Sequence, residues 1–258
     1  MDKIVDIQNI SWKRHGETII SDISWGVSRG EHWAILGLNG SGKTTLLNMI
    51  NGYIWPTTGK VSVLGKPFGQ TDIRELRKSI GWVSSSLQER MKGLETVEDI
   101  IVSGKFASIG LYENPTEADV VKACKLMEQL QCSHLLGRTY QTCSQGEKQK
   151  ILIARGLMGS PELLILDEPT NGLDFISREE LMSSVNQLAV QENAPTILFV
   201  THHIEEILPV FTHTLLLKQG TVYAKGKREE MLTGGHLSRF FDLPVQIDWS
   251  NDRAWMTL

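Results

Sequence analysis

Eight consecutive residues, Gly37-Leu38-Asn39-Gly40-Ser41-Gly42-Lys43-Thr44, fit the pattern G-x-x-x-x-G-K-[ST]. One chemistry explains these residue types. Glycines let a loop curl until successive backbone N–H groups face a phosphate. A helix starting where the loop ends adds the positive end of its dipole. A lysine there reaches β- and γ-phosphates, and the hydroxyl after it can ligate Mg2+. Lys43 and Thr44 hold those two positions, with Thr45 next in the same turn. Glycine makes up about 7% of residues in general, so an unrelated chain of this length would carry the pattern in roughly one case in a hundred. The flanks narrow this further, because a short apolar run, His32 to Leu36, enters the loop and a helical run, Lys43 to Asn51, leaves it.

A second constellation lies over a hundred residues downstream. Leu163-Leu164-Ile165-Leu166 reads as a buried strand, and Asp167-Glu168 closes it. Ligands of parallel α/β sheets bind beyond the carboxyl ends of the strands. Asp167 could hold Mg2+ through water. Glu168, one residue on, could polarise an attacking water. Two acids at a strand end are unremarkable alone; following a phosphate loop, they read as the other half of a nucleotide-hydrolysing site.

The elements that must position these residues follow from apolar periodicity. Residues 3–10 and Ile19–Val27 read as strands separated by a polar turn, an opening antiparallel sheet. Val61–Leu64 and Ile80–Val83 read as further strands, with a helix over Asp72–Lys78. From about residue 86 to 154 the pattern is mostly helical, clearest in Glu95–Ser103 and Glu117–Leu130. The α/β rhythm then resumes with a helix over Ser177–Val190 and a buried strand over Thr196–Val200. Leu215–Leu217 and Val222–Ala224 read as a hairpin around Gln219-Gly220. Apolar strands alternating with helices predict a parallel sheet. The expected fold is therefore α/β: a P-loop NTPase core with a mostly parallel sheet, an N-terminal antiparallel β-subdomain and an inserted helical subdomain.

Composition bounds the rest. The chain has 258 residues, 41% hydrophobic and 22% charged, with a formal net charge of −4. That balance suits a globular domain and argues against a nucleic-acid surface. Three cysteines without a C-x-x-C spacing suit a reducing cytoplasm, with neither a disulfide framework nor a zinc site. No apolar run approaches the ~20 residues that cross a bilayer, and the N-terminal residues do not form a signal peptide. Work at a membrane would need a partner to hold the chain there.

Between the two constellations stands Cys143-Ser144-Gln145-Gly146-Glu147-Lys148-Gln149-Lys150, running on to Arg155. It resembles the L-S-G-G-Q signature of ABC-class ATPases. Asn171-Gly172-Leu173-Asp174 resembles their D-loop, and Thr201-His202 their switch histidine. The order and spacing are similar over residues 3–230, leaving 231–258 as a C-terminal extension, with the helical subdomain at about 86–154. The resemblance implies an ATP- and Mg2+-dependent ATPase whose cassettes pair head to tail around two ATP molecules. Each ATP would lie between the phosphate loop of one subunit and the signature of the other. Ser144 and the Gly146 backbone would face the partner's γ-phosphate, at a helix N-terminus suited to anions. His202 would link the γ-phosphate to Glu168, and Asp174 would lie at the interface between the cassettes.

The resemblance further implies a cytoplasmic subunit, peripheral on the inner face of the cell membrane, powering a transporter through an integral membrane permease. Gly226–Leu232 and Phe241–Val245 resemble importer-type tails, of the metal-chelate or oxyanion kind. A soluble ABC ATPase acting on nucleic acid or the ribosome is the alternative; such members resemble paired cassettes or carry coiled-coil insertions, which this sequence lacks.

Three stretches depart from the family pattern. In the signature, Cys143, Gln145 and Glu147 replace Leu, Gly and Gln, and Gln145 adds a side chain near the partner's nucleotide. The loop after Ile80–Val83, where the family places a metal-contacting Gln, reads Ser84-Ser85, with Gln88 the nearest glutamine. Either Ser85 or Gln88 could reach the metal or water, or the loop is rewired. The adenine-stacking position falls on Arg14, with Trp12 two residues earlier; a planar cation and an indole face can both stack, and Trp12 is preferred.

Overall fold

The computed structural model describes residues 2–111 and 114–258. Strands β1 (Lys3–Arg14), β2 (Glu17–Ser28) and β3 (Trp33–Leu36) lead into α1 (Lys43–Ile50). There follow β4 (Thr58–Val63), β5 (Lys66–Pro67), α2 (Ile73–Lys78) and β6 (Ile80–Val83). A helical run comprises α3 (Ser85–Arg90), α4 (Val97–Ser103), α5 (Glu117–Gln129) and α6 (Gln145–Leu157). Then come β7 (Leu163–Asp167), α7 (Phe175–Ala189), β8 (Thr196–Thr201), β9 (His213–Lys218) and β10 (Thr221–Lys227). The C-terminal stretch holds α8 (Arg228–Met231), α9 (Gly234–Phe241), β11 (Gln246–Ser250) and β12 (Arg253–Thr257). The chain forms two compact units, one made of the chain up to Ile73 with Thr196–Leu258, the other of Arg74–Pro195.

In the first unit, β2, β1, β4 and β5 form an antiparallel sheet in that order. In β2 alternate residues Ile23, Trp25 and Val27 are buried, while in β1 Ile7 and Ile10 are buried on either side of a register shift. Such alternation is what a sheet with one solvated face requires. Neighbouring strands run β10-β9-β3-β8. β3 is parallel to both β8 and β9, and β10 returns antiparallel to β9. All four side chains of β3 are buried, as a central parallel strand demands. Each fully buried aliphatic side chain contributes about 1.5–3 kcal/mol through removal from water.

The tail, least informative in the sequence, folds within this unit. Leu237 and Phe240 of α9 are buried. β11 and β12 form a hairpin, and Arg253 donates to the Glu205 carbonyl.

In the second unit, β6 and β7 pair in parallel, Val83 opposite Leu166. Helices α3 to α6 occupy the segment between these strands, the stretch read as helical from its periodicity. α6 buries Ile151, Leu152, Ile153, Ala154 and Leu157 and is the longest helix of that stretch together with α5.

Candidate functional site

In the first unit, register brings two predicted elements to one sheet edge. Leu36 of β3 pairs with Thr201 of β8, so the loop beginning at Gly37 and the residue His202 both leave the carboxyl ends of adjacent parallel strands. Gly42, at φ +100°, turns the loop into α1, a conformation that L side chains rarely adopt. No side chain caps α1, and its first turn holds no acidic residue. The leading N–H groups of a helix have no intrahelical acceptor, so this end offers donors and an uncancelled dipole to an anion. Lys43 is 6% exposed, and its ammonium donates to the Gly37 carbonyl at 2.8 Å and to Leu38 at 3.3 Å. Leu38, Asn39, Gly40 and Thr44 are exposed, Thr45 is half-buried, and Ser41 is buried. This donor set fits a nucleotide polyphosphate.

A brace that sequence reasoning missed holds the loop. The Gly220 N–H donates to the Ser41 carbonyl at 3.0 Å, and the Gly220 carbonyl accepts from the Ser21 N–H at 2.9 Å. Gly220 has φ +76°, and a Cβ there would lie 2.2 Å from the Ile19 carbonyl oxygen. The sequence signalled a turn at Gln219-Gly220 but not its contact with the phosphate loop. Trp12 pairs with Ile20 across the β1–β2 ladder, and Ile20 lies against Gly42. Trp12 is half-buried, whereas Arg14 is exposed at the hairpin end, opposite Glu17.

After β8 the chain is folded by two further bonds. The Thr201 hydroxyl donates to Glu206 Oε2 at 2.5 Å, and the His203 N–H donates to Thr201 Oγ1 at 2.9 Å. Both Thr201 and Glu206 are 1% exposed. His202 is half-buried, its ring 4.2 Å from that of exposed His203. Glu206 was not singled out in the sequence, since a lone acid six residues past a strand core carries no motif.

In the second unit, β7 is buried through Leu166, and Asp167 and Glu168 are half-buried at its carboxyl end. Glu168 has φ +49°, a left-handed conformation that costs a non-glycine residue about 1–3 kcal/mol and clusters at functional sites. It turns the chain sharply after the strand. The turn leads to Asp174, which caps α7: its carboxylate accepts from the Ser177 N–H and hydroxyl, each at 2.9 Å. Those bonds, the backbone one foremost, hold the Asp174 carboxyl below its ordinary 3.8.

Ser144 caps α6. Its hydroxyl accepts from the Glu147 N–H at 3.3 Å, and Glu147 Oε2 accepts from the Ser144 N–H at 2.6 Å, a complete capping box. Glu147 Oε1 also lies 3.2 Å from His134 Nε2 and 3.4 Å from Arg138. Burial pushes the Glu147 carboxyl up, but the Ser144 N–H, His134 and Arg138 outweigh it and hold the group below its ordinary 4.5. Gly146 is buried in the same turn, beside Ser177 of α7. Cys143, at the first signature position, is a buried free thiol that burial pushes up, an inert packing residue.

Val83 opposite Leu166 places Ser84 at the same strand edge as Asp167. Ser84 is buried and caps α3, accepting from the Leu87 N–H at 3.3 Å. Ser85 is exposed, and Gln88 is bonded to Gln145 and Gln149 of α6. The loop after β6 is here a short helix, because Ser84 supplies its N-cap, its hydroxyl also lying 3.1 Å from that of Ser86.

Among the described residues, no group of three or more His, Cys, Asp or Glu side chains could hold a metal alone. A Mg2+ ion needs no such cage: it keeps waters and takes one or two protein oxygens beside phosphate. Thr44 and Asp167 have that oxygen chemistry.

The ABC transporter family profile matches residues 20–171. The ABC transporter ATP-binding protein YlmA of Bacillus subtilis (strain 168) is 51% identical over 255 residues, covering 98% of this chain and 97% of that protein. The molybdate import ATP-binding protein MolC of Haemophilus influenzae is 29% identical, covering 95% of this chain and 90% of its own length. Among solved structures, a metal-chelate type ABC transporter in an inward-facing conformation is similar at a TM-score of 0.78, with 28% identity, 98% of this chain and 96% of that one. With a capless helix behind a glycine-rich loop, an Asp-Glu pair closing a buried strand, and a serine-capped signature helix, the chain belongs to the ABC transporter family, as an ATP-binding cassette.

Proposed function

We propose that the chain hydrolyses ATP with Mg2+, pairs head to tail with a second cassette, and powers import through an integral membrane permease. The observation that carries it is the phosphate loop: a capless helix N-terminus with the Lys43 ammonium held against the loop carbonyls. On ATP, Lys43 would exchange carbonyl oxygens for β- and γ-phosphate oxygens, a charge-assisted gain. Gly37 to Thr45 would enclose the phosphates, with Trp12 against adenine. Thr44 and Asp167 would hold Mg2+, which when bound neutralises phosphate charge. Glu168 would orient the attacking water and take its proton, and His202 would contact the γ-phosphate. Joint action of these groups, which lie in two units, rests on family membership.

Ser144 and Gly146 would receive the partner's ATP at the start of α6. Among the described residues no helix is long and apolar enough to cross a membrane, so a permease at the inner face of the cell membrane would anchor the cassette. The names of the similar molybdate and metal-chelate proteins support an oxyanion or metal-chelate cargo.

Lys43→Ala tests the phosphate loop. Phosphate release in Mg-ATP should fall at least about 100-fold, since charge-assisted phosphate contacts are lost. Turnover equal to the parent would overturn the assignment.

A further inference from the structure

Two positions at which the sequence leaves the family pattern meet in the second unit. Gln88 follows the strand that the family ends in a metal-contacting glutamine, and Gln145 replaces a signature glycine. Gln88 Nε2 donates to Gln145 Oε1 at 2.9 Å, and Gln145 Nε2 donates back to Gln88 Oε1 at 3.2 Å. One turn further along α6, Gln149 Nε2 donates to Gln88 Oε1 at 2.9 Å. Gln149 is 2% exposed, so its amide relies on Gln88 in place of water.

We infer that Gln88, Gln145 and Gln149 form an amide clasp that positions the first turn of α6 and holds the Gln145 side chain off the face that receives a partner's nucleotide. An amide oxygen has two lone pairs. Those of Gln88 are engaged by Gln145 and Gln149, so Gln88 cannot ligate a metal while the clasp is closed. The extra side chain at the signature is thereby tolerated: it is folded onto α3 and away from Ser144, whose hydroxyl accepts from the Glu147 N–H and keeps its own O–H to donate. Gln88 is on this account a positioning residue, acting through Gln145. The clasp's role rests on the head-to-tail reading.

The test uses the full chain in a Glu168→Gln background, which slows hydrolysis so that Mg-ATP dimers accumulate. Sedimentation velocity across an ATP series gives the concentration for half-dimerisation. Gln88→Ala should raise it about 10-fold, the loss of a charge-neutral hydrogen-bonded anchor of one buried amide. Gln145→Gly removes the side chain that needs holding, so the double variant should return to within about 2-fold of the parent. A purely structural role for Gln88 would leave its loss uncorrected by Gln145→Gly, and that outcome overturns the inference. Hydrogen exchange of the amides of residues 145–149 gives a readout without dimers: it should accelerate in Gln88→Ala, and parental exchange there means no clasp. If Glu168→Gln alone forms no Mg-ATP dimer, the head-to-tail reading fails and the nucleotide role of the clasp with it, while the exchange result still decides whether the clasp exists.

Discussion

Gly220 and Glu168 are the residues whose backbones do the most for the candidate site. Gly220 bridges Ser21 and the Ser41 carbonyl, tying the β1–β2 sheet to the phosphate loop. A methyl group there would meet the Ile19 carbonyl oxygen at 2.2 Å, which is backbone and cannot swing aside. Gly220→Ala should therefore cost about 1–3 kcal/mol in strain and loosen the loop. Urea unfolding together with ATP titration checks this: both stability and affinity should fall, and a variant that lost neither would remove the brace from the site. Glu168 adopts a left-handed conformation without being glycine, which turns the chain directly after β7. Its identity was legible in the sequence from Asp167 before it and the apolar strand ahead. Its backbone conformation was not, because nothing in the residue type favours φ +49°.

At the scale of elements, α6 presents the signature and depends on its cap. The Ser144–Glu147 capping box satisfies N–H groups at both ends of the first turn. Because the folded-state carboxyl of Glu147 sits below its ordinary 4.5, its ionised form adds stability above that pH. The contribution disappears as pH falls through the lower folded-state value. Glu147→Gln restores the family residue without the charge. It should unfold more readily than the parent at pH 7, and the gap should shrink below about pH 4.5. Thermal melts of both proteins from pH 7 to pH 3.5 measure this; a gap independent of pH would assign the role to shape alone. The sequence marked Ser144 as a signature residue and Glu147 as a replacement for the family glutamine, but the box that joins them came from the structure. Nor was the support from Arg138 and His134 legible in the sequence, since both precede α6 on a segment with no periodic signal. Likewise α3 came from local capping by Ser84, in a loop for which the sequence left open whether Ser85 or Gln88 serves the site or the loop is rewired.

For the whole molecule, the reading is that one cassette serves a membrane assembly. Tagged Glu168→Gln chain, expressed in its own host and solubilised gently in Mg-ATP, should retain a multi-span membrane protein in near-stoichiometric yield. Ribosomal or nucleic-acid-bound material without a permease would replace transport by the soluble alternative and leave only the ATP site. The sequence by itself determined the α/β class, the phosphate-loop pattern and the Asp-Glu strand end, because each depends on local spacing and apolar period, and it carried the family through the resemblance of its motifs. Only the tertiary structure decided which distant residues meet: Gly220 with Ser41, and Gln88 with Gln145 and Gln149. Those pairs span turns and helices of the chain, and a hydrogen bond between remote residues leaves no periodic trace in the residues that form it. The same holds for the tail, where α9 and the β11–β12 hairpin are set by packing around Leu237, Phe240 and Arg253 more than by propensity.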